Sequence, residues 1–339
     1  MTNSKRIGLM GCGTVAGYGH IPAILATSGL QLTALYDPDD NRLAAIRQEH
    51  GDIPAFNTPE AFFDSGLDAI VITSPAPNHY ENVSDAARRG LPVLCEKPLA
   101  VSLDEAQAIV DLMDRAGLPL YTAFNYRFSP CALAIKALVA EGAIGTVRSL
   151  RLIYDWNLHG KYVVTDSGEQ IENPRRRARM LEGGPMIDCG VHQIDLARWW
   201  LDSDIARQQS VGVWVDEYSA PDHMYLHLDH DDGAHTLVEI SFSYTHTAKE
   251  PRSHFVYELI GTEGVIRYNR EEQIFEMRSS RETRLMEWHE EKNFEGMYAA
   301  FVQALATGQA GNLPSGREAL EVSHIAVTAT DSLIAQHTR

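Results

Sequence analysis

The hydrophobic period of this chain changes near Phe124, and that change limits its fold more than any other feature. Upstream, short β-branched runs at residues 6–10, 30–36, 69–73 and 92–95, with a fifth at 120–123, alternate with helix-like stretches at 39–50, 78–89 and 103–116. Strands separated by helices are joined by crossovers, so this part reads as a doubly wound parallel sheet. Ser102 has Glu105 at capping-box spacing, and Gly51, Gly90 and Gly117 close the three helices. Downstream, apolar residues recur at every second position: Leu150, Leu152, Tyr154, Trp156; Val211, Val213, Val215; Met224, Leu226, Leu228; Val238, Ile240, Phe242, Tyr244; Phe255, Tyr257, Leu259. Such alternation belongs to antiparallel strands with one buried face. Asp231-Asp232-Gly233 supplies a hairpin turn, Gly261 and Gly264 mark another bend, and helices are expected at 294–307 and 317–335. The expected fold class is α/β: a doubly wound domain over residues 1–124, then an α+β domain with a large, mainly antiparallel open sheet over 125–339.

Composition narrows the function. A chain of 339 residues with 44% apolar side chains can bury two cores and is not disordered. With 29 basic against 46 acidic residues, the net charge of −17 repels phosphate backbones, so neither nucleic acid nor an anionic membrane is an expected partner. Cys12, Cys95, Cys131 and Cys189 lie far apart with no C-x-x-C pair, which suits a reducing cytoplasm and argues against a zinc ribbon. Residues 7–36 carry no Asp, Glu, Lys or Arg, but six glycines, His20 and Pro22 break the stretch, so no export signal or membrane span is read there.

Three constellations carry chemistry. Gly11-Cys12-Gly13-Thr14-Val15-Ala16 is a G-x-G-x-x-A turn between a strand and a helix. Glycines there let the backbone approach a pyrophosphate, and Asp37, ending the second run, stands where a carboxylate meets the adenosine ribose. The competing readings are a plain glycine turn and an ordinary turn acid before Pro38. Thr73-Ser74-Pro75-Ala76-Pro77-Asn78-His79 and Cys95-Glu96-Lys97-Pro98 follow later strands, at the carboxyl edge where such sheets bind ligands. Glu96 and Lys97 also read as a solvated pair. The third is Gly183-Gly184-Pro185, followed by Asp188, His192 and Asp195 on one helical face beside Ile187, Val191 and Ile194. By spacing alone, catalysis and a satisfied structural network are equally open.

Together with Asn125-Tyr126-Arg127-Phe128, these motifs resemble, in order and spacing over nearly the whole chain, the glucose-fructose oxidoreductase, inositol dehydrogenase and rhizopine catabolism (Gfo/Idh/MocA) family. The resemblance implies a Rossmann domain binding NAD rather than NADP, through Gly11, Gly13, Thr14, Val15, Asp37, Arg42, Thr73, Ser74, Asn78, His79, Glu96, Lys97 and Asn125. It implies Lys97, Asp188 and His192 as the catalytic group, with Tyr126, Arg127, Trp156, Arg176 and Arg177 joining them around the substrate. Two departures stand out: Pro185 where the family often has a third glycine, and Cys189 beside Asp188.

The implied reaction is hydride transfer between nicotinamide and a hydroxyl carbon of a sugar, sugar acid or cyclitol. Removing hydride requires that the hydroxyl proton leave too, which calls for a base near pH 7. His192 and Lys97 both qualify. Arg42 is the residue able to accommodate a 2′-phosphate and so to favour NADP. An NAD-recycling glycoside hydrolase or epimerase would use the same residues, and a non-catalytic NAD-binding regulator is a third reading that the intact Lys97, Asp188 and His192 oppose. Arg175, Arg176, Arg177 and Arg179 suggest an anionic substrate group, against the competing reading of pairing with local acids or solvent. His223, His227, His230 and His235 are scattered by a hairpin, so no metal is expected. The second domain's sheet has a face its own helices do not cover, and a homodimer or homotetramer is expected.

Overall fold

The computed structural model describes residues 4–337. Its residues divide into two compact units: the chain up to Phe128 with Lys292–Glu321, and Ser129–Glu291 with the chain from Val322.

In the first unit, β1 (Lys5–Met10), β2 (Leu30–Tyr36), β3 (Ala55–Phe56), β4 (Ala69–Ile72), β5 (Val93–Cys95) and β6 (Leu120–Thr122) form a parallel sheet in the order β3-β2-β1-β4-β5-β6. This is the doubly wound order, with its topological switch between β1 and β4. Residues 69–72 are buried throughout, as expected of a central strand covered on both faces. The crossovers carry α1 (Ile21–Ala26), α2 (Asp40–His50), α3 (Pro59–Phe63), α4 (His79–Arg88) and α5 (Leu103–Ala116). Ser102 caps α5 by accepting from the Glu105 amide, and Gly117 closes it in the left-handed region. The sequence reading misses β3 and α3, both too short to show a period.

In the second unit, helices α6 (Pro130–Ala140), α7 (Pro174–Leu181) and α8 (Val191–Leu201) accompany ten strands among the described residues. These are β7 (Val147–Asp155), β8 (Tyr162–Val164), β9 (Gln170–Glu172), β10 (Ile205–Val213), β11 (His223–His230), β12 (His235–Ser241), β13 (His254–Gly261), β14 (Gly264–Asn269), β15 (Ile274–Ser279) and β16 (Thr283–Leu285). Eight of them form one sheet, β10-β11-β12-β7-β13-β14-β15-β16, antiparallel except for the β12-β7 pair, while β8 and β9 form a small hairpin. The period-two positions Leu150, Leu152, Met224, Leu226, Val238, Ile240, Phe255 and Leu259 are all buried. Val211, Val213, Ile260, Val265 and Leu285 share the opposite face by register and are exposed. No helix among the described residues is long and apolar enough to cross a membrane.

The closing helices α9 (Phe294–Thr307) and α10 (Gly316–His337) stand close to where the sequence puts them, but the division of the chain differs from 1–124 and 125–339. Helix α9 belongs to the first unit. Its Met297, Tyr298 and Phe301 are fully buried in one cluster with Ile7, Leu9, Ile24, Leu35 and Val71. Helix α1 has only six residues, too few to cover its side of a six-stranded sheet, and α9 packs beside it. A helix's own pattern reveals an apolar face but not which sheet that face covers. Accordingly, Phe301→Ala should cost about 3–5 kcal/mol in urea unfolding. A loss below about 1 kcal/mol would contradict the place of α9 in this core.

Candidate active site

The chain leaves β1 through Gly11, whose φ of +99° is open to glycine and where a Cβ would overlap the Ser74 backbone. Thr73, at the end of β4, fastens the turn by donating its hydroxyl to the Gly11 carbonyl at 2.6 Å and its amide to the Met10 carbonyl at 2.8 Å. A Cβ on Gly13 would meet nothing within 4 Å, so a ligand has room to approach the main chain there. Thr14 is exposed and Val15 half-buried, and a π-helical turn, Ala16–His20, leads into α1. Such turns are frequent at functional sites.

Asp37 is buried, its carboxylate accepting the Cys12 amide at 2.8 Å and the Asp39 amide at 2.9 Å. Its first task is therefore to hold the glycine turn. Arg42 stands 3.8 Å from Asp37 and 3.7 Å from Asp39, its charge met by two acids. His79, expected at the cofactor, is buried with its ring nitrogens 2.9 Å from the Ser74 carbonyl and 3.1 Å from that of Leu99. It braces these loops, and burial lowers its pKa. Asn78 is exposed, whereas Asn125 is buried with a side-chain oxygen that has no partner among the described residues. That oxygen can accept from a carboxamide N–H. The open main chain at Gly13, the fastened turn and this acceptor fit a dinucleotide.

After β5, Glu96 is buried and Lys97 half-buried. Glu96 accepts the Lys97 amide at 3.0 Å through one oxygen and faces His20 at 2.9 Å through the other. Tyr126 and Arg127 are buried, with Arg127 donating to Glu318 at 3.0 Å. Sequence reasoning missed His20 as a partner of this segment. Its signal was one ionisable ring in a stretch otherwise without charge.

In the second unit, Gly183 and Gly184 take φ values of +110° and +77°, and a Cβ on Gly183 would overlap Ile187. A second π-helical turn, Met186–Gly190, then carries Asp188 into α8, where the sequence spacing assumed α-helix from Pro185. Asp188, His192 and Asp195 are all buried. The Asp188 carboxylate lies 3.8 Å from Arg179 Nε and 3.7 Å from the Cys189 thiol. Asp188, with Glu182, raises the pKa of Arg179.

His159, which the sequence did not single out, belongs to the same neighbourhood. It sits at φ +61° after Leu158 at +39°, a run of strained non-glycine residues, and its ring lies 5.2 Å from that of Trp156. Burial and the charges of Arg175 and Arg179 lower its pKa, against the pull of Asp188. Asn173 builds the corner: its oxygen caps α7, and its amide donates to the His159 and Gly160 carbonyls. Trp156 stacks on Tyr154 at 5.7 Å and keeps a buried indole N–H with no partner among the described residues.

Arg176 departs from its expected place at the substrate. It is fully buried, donating to Tyr218 at 3.0 Å, Ser243 at 2.6 Å and the Phe242 carbonyl, with Asp216 at 3.3 Å and Asp222 at 3.6 Å. Its fork is spent on the fold, because the buried Asp222 and the half-buried Asp216 of one loop need a cation. Arg177 is exposed, with no ion pair among the described residues. In the β11-β12 hairpin, His235 bridges His227 at 3.2 Å and Asp229 at 2.8 Å, while His230 is buried on Thr236. Among the described residues, no three His, Cys, Asp or Glu side chains are grouped to hold a metal ion. Arg176→Ala should therefore cost about 3–5 kcal/mol, since it strands buried charge. Arg177→Ala should stay within about 0.5 kcal/mol. Equal stabilities by urea unfolding would contradict the assignment.

Residues 5–124 match the signature of the oxidoreductase family with an NAD-binding Rossmann fold, and residues 132–267 match the GFO/IDH/MocA C-terminal domain. The chain is 32% identical to a D-xylose 1-dehydrogenase (NADP(+)) of Haloferax volcanii, over 71% of this chain and 70% of that one. It is 27% identical to the scyllo-inositol 2-dehydrogenase (NAD(+)) of Bacillus subtilis, over 78% and 74%. In fold it is similar to an oxidoreductase from Agrobacterium radiobacter solved with NAD+, L-tartaric acid and magnesium, with a TM-score of 0.81, 23% identity, and 99% and 97% of the two chains covered. Both domain signatures thus occur in order on one chain, and it belongs to the Gfo/Idh/MocA family of oxidoreductases, with an NAD(P)-binding Rossmann domain in its first unit.

Proposed function

We propose that this protein is an NAD-dependent dehydrogenase that oxidises a hydroxyl carbon of a sugar, sugar acid or cyclitol, with Lys97, Asp188 and His192 as its catalytic group. Family membership carries the reading, supported by relatives named for xylose and scyllo-inositol. NAD, when bound, supplies the hydride acceptor. The chain's own residues handle the proton. Of Lys97 and His192, one takes the hydroxyl proton while the other steadies the developing negative charge by donating a hydrogen bond. Asp188, buried and 3.8 Å from Arg179, is in this reading the carboxylate that orients the imidazole or ammonium.

The preference for NAD rests on the acids ending β2. Asp37 and Asp39 would repel a 2′-phosphate, and Arg42 is already shared between them. A reducing cytoplasm fits four buried cysteines with no disulfide among them. A homodimer or homotetramer is supported by Val211, Val213, Ile260 and Val265, exposed on one sheet face.

The direct test is a screen of pentoses, hexoses and cyclitols with NAD, following NADH absorbance and product in parallel. Each neutral sugar is paired with its acid, because Arg175 and Arg177 are exposed, with no ion pair among the described residues. Turnover without accumulating NADH would indicate redox-neutral recycling instead. Lys97→Ala and His192→Ala should each lower turnover by about 100-fold. Near-normal turnover in either would remove that residue from the catalytic group. In fluorescence titrations, NADH should bind about tenfold or more tightly than NADPH, and the reverse order would overturn the preference.

A further inference from the structure

Three side chains far apart in sequence meet inside the first unit. His20 ends the π-helical turn that follows the glycine turn, Glu96 follows β5, and Tyr298 lies on α9. The His20 ring is fully buried, with Nε2 at 2.9 Å from Glu96 Oε1 and Nδ1 at 2.6 Å from the Tyr298 hydroxyl. The other Glu96 oxygen accepts the Lys97 amide at 3.0 Å. Phe294 closes the group edge-on, with ring centroids 5.0 Å from His20, and it can lie there because residue 19 is glycine: a Cβ would come within 2.6 Å of its ring.

The protons follow from the donors. Burial pushes the Glu96 carboxyl upward, but the His20 hydrogen bond, the His20 and Lys97 charges and the Lys97 amide outweigh it and hold the group below its ordinary pKa. As a carboxylate, Glu96 only accepts, so His20 Nε2 carries a hydrogen. Tyr298 stays a neutral phenol, because burial and the nearby Glu96 raise its pKa. Both oxygens of Glu96 are thereby engaged within the first unit.

We propose that Tyr298, His20 and Glu96 form a buried positioning chain that ties Lys97 to the glycine turn. The three are positioning residues, and the proposal rests on Lys97 being catalytic. A group misplaced by about 1 Å can lose about 100-fold in rate, so holding the Lys97 main chain to the turn that receives the dinucleotide has a large effect on turnover. A mere core packing role would move stability alone.

The test uses His20→Ala, Glu96→Gln and Tyr298→Phe in the full chain. Gln has one acceptor oxygen and no charge, so it cannot accept from both a protonated His20 Nε2 and the Lys97 amide as Glu96 does, whereas Phe keeps the His20–Glu96 bond. Lys97 is read without any substrate, by trace acetylation of the protein followed by mass spectrometry, as its labelling relative to exposed Lys249. The ratio should change about threefold or more in His20→Ala and Glu96→Gln, and less in Tyr298→Phe. With a substrate from the screen, kcat should fall about tenfold or more in the first two, with the dissociation constant of NADH within about threefold of wild type. Should His20→Ala fail to fold, Glu96→Gln and Tyr298→Phe carry the comparison. Folded variants with unchanged labelling and unchanged kcat overturn the chain. A changed ratio in the variants, with a wild-type protein that oxidises none of the screened sugars and cyclitols, would support the chain and remove the catalytic reading of Lys97.

Discussion

The first unit is organised by one close approach of two backbones, Gly11 against Ser74, at the switch between β1 and β4. Only glycine permits it, since φ there is +99° and a side chain would overlap the neighbouring strand end. Thr73 fastens the turn from one side and Asp37 from the other, through the Cys12 amide. With the turn fixed, the π-helical turn ending in His20 is fixed too, and His20 reaches Glu96 and the segment of Lys97. The cofactor turn and the proposed catalytic lysine are thus parts of one hydrogen-bonded frame.

The second unit repeats the device. Glycine at positive φ, Gly183 and Gly184 here as Gly11 there, again leads into a π-helical turn, and that turn carries Asp188. A wider turn sets its side chains at a different angle from α-helix, which suits a residue that must leave the packed face of its helix. Around Asp188 the arginines divide their work. Arg176 neutralises Asp216 and the buried Asp222, Arg179 pairs with Glu182 and Asp188, and Arg175 lends positive potential to His159. A run of like residues in sequence is three different electrostatic roles in space.

The architecture was legible because both periods were strong. The alternation at Leu150 to Tyr154 and Met224 to Leu228, and the buried run at 69–72, each follow from which faces of a strand are covered. The glycine turn, Glu96-Lys97 and Asp188 with His192 were legible as motifs, because their chemistry needs neighbours in sequence. What escaped depends on distant partners. The place of α9 in the first core, the burial of Arg176, the engagement of Asp37 with main-chain amides and the meeting of His20 with Tyr298, 278 positions away, leave no local periodicity. Tertiary contacts of high sequence separation leave no trace in a single sequence.

The central claim is that this chain moves a hydride between a carbinol carbon and nicotinamide. The most direct measurement gives the wild-type enzyme NAD and a panel of polyols deuterated at their carbinol carbons, and follows the label by mass spectrometry of the dinucleotide. The account predicts NADH bearing one deuterium from at least one polyol, with the hydroxyl proton released to water. Deuterium retained in every polyol, with no labelled or unlabelled NADH formed while the protein binds NADH, would contradict it.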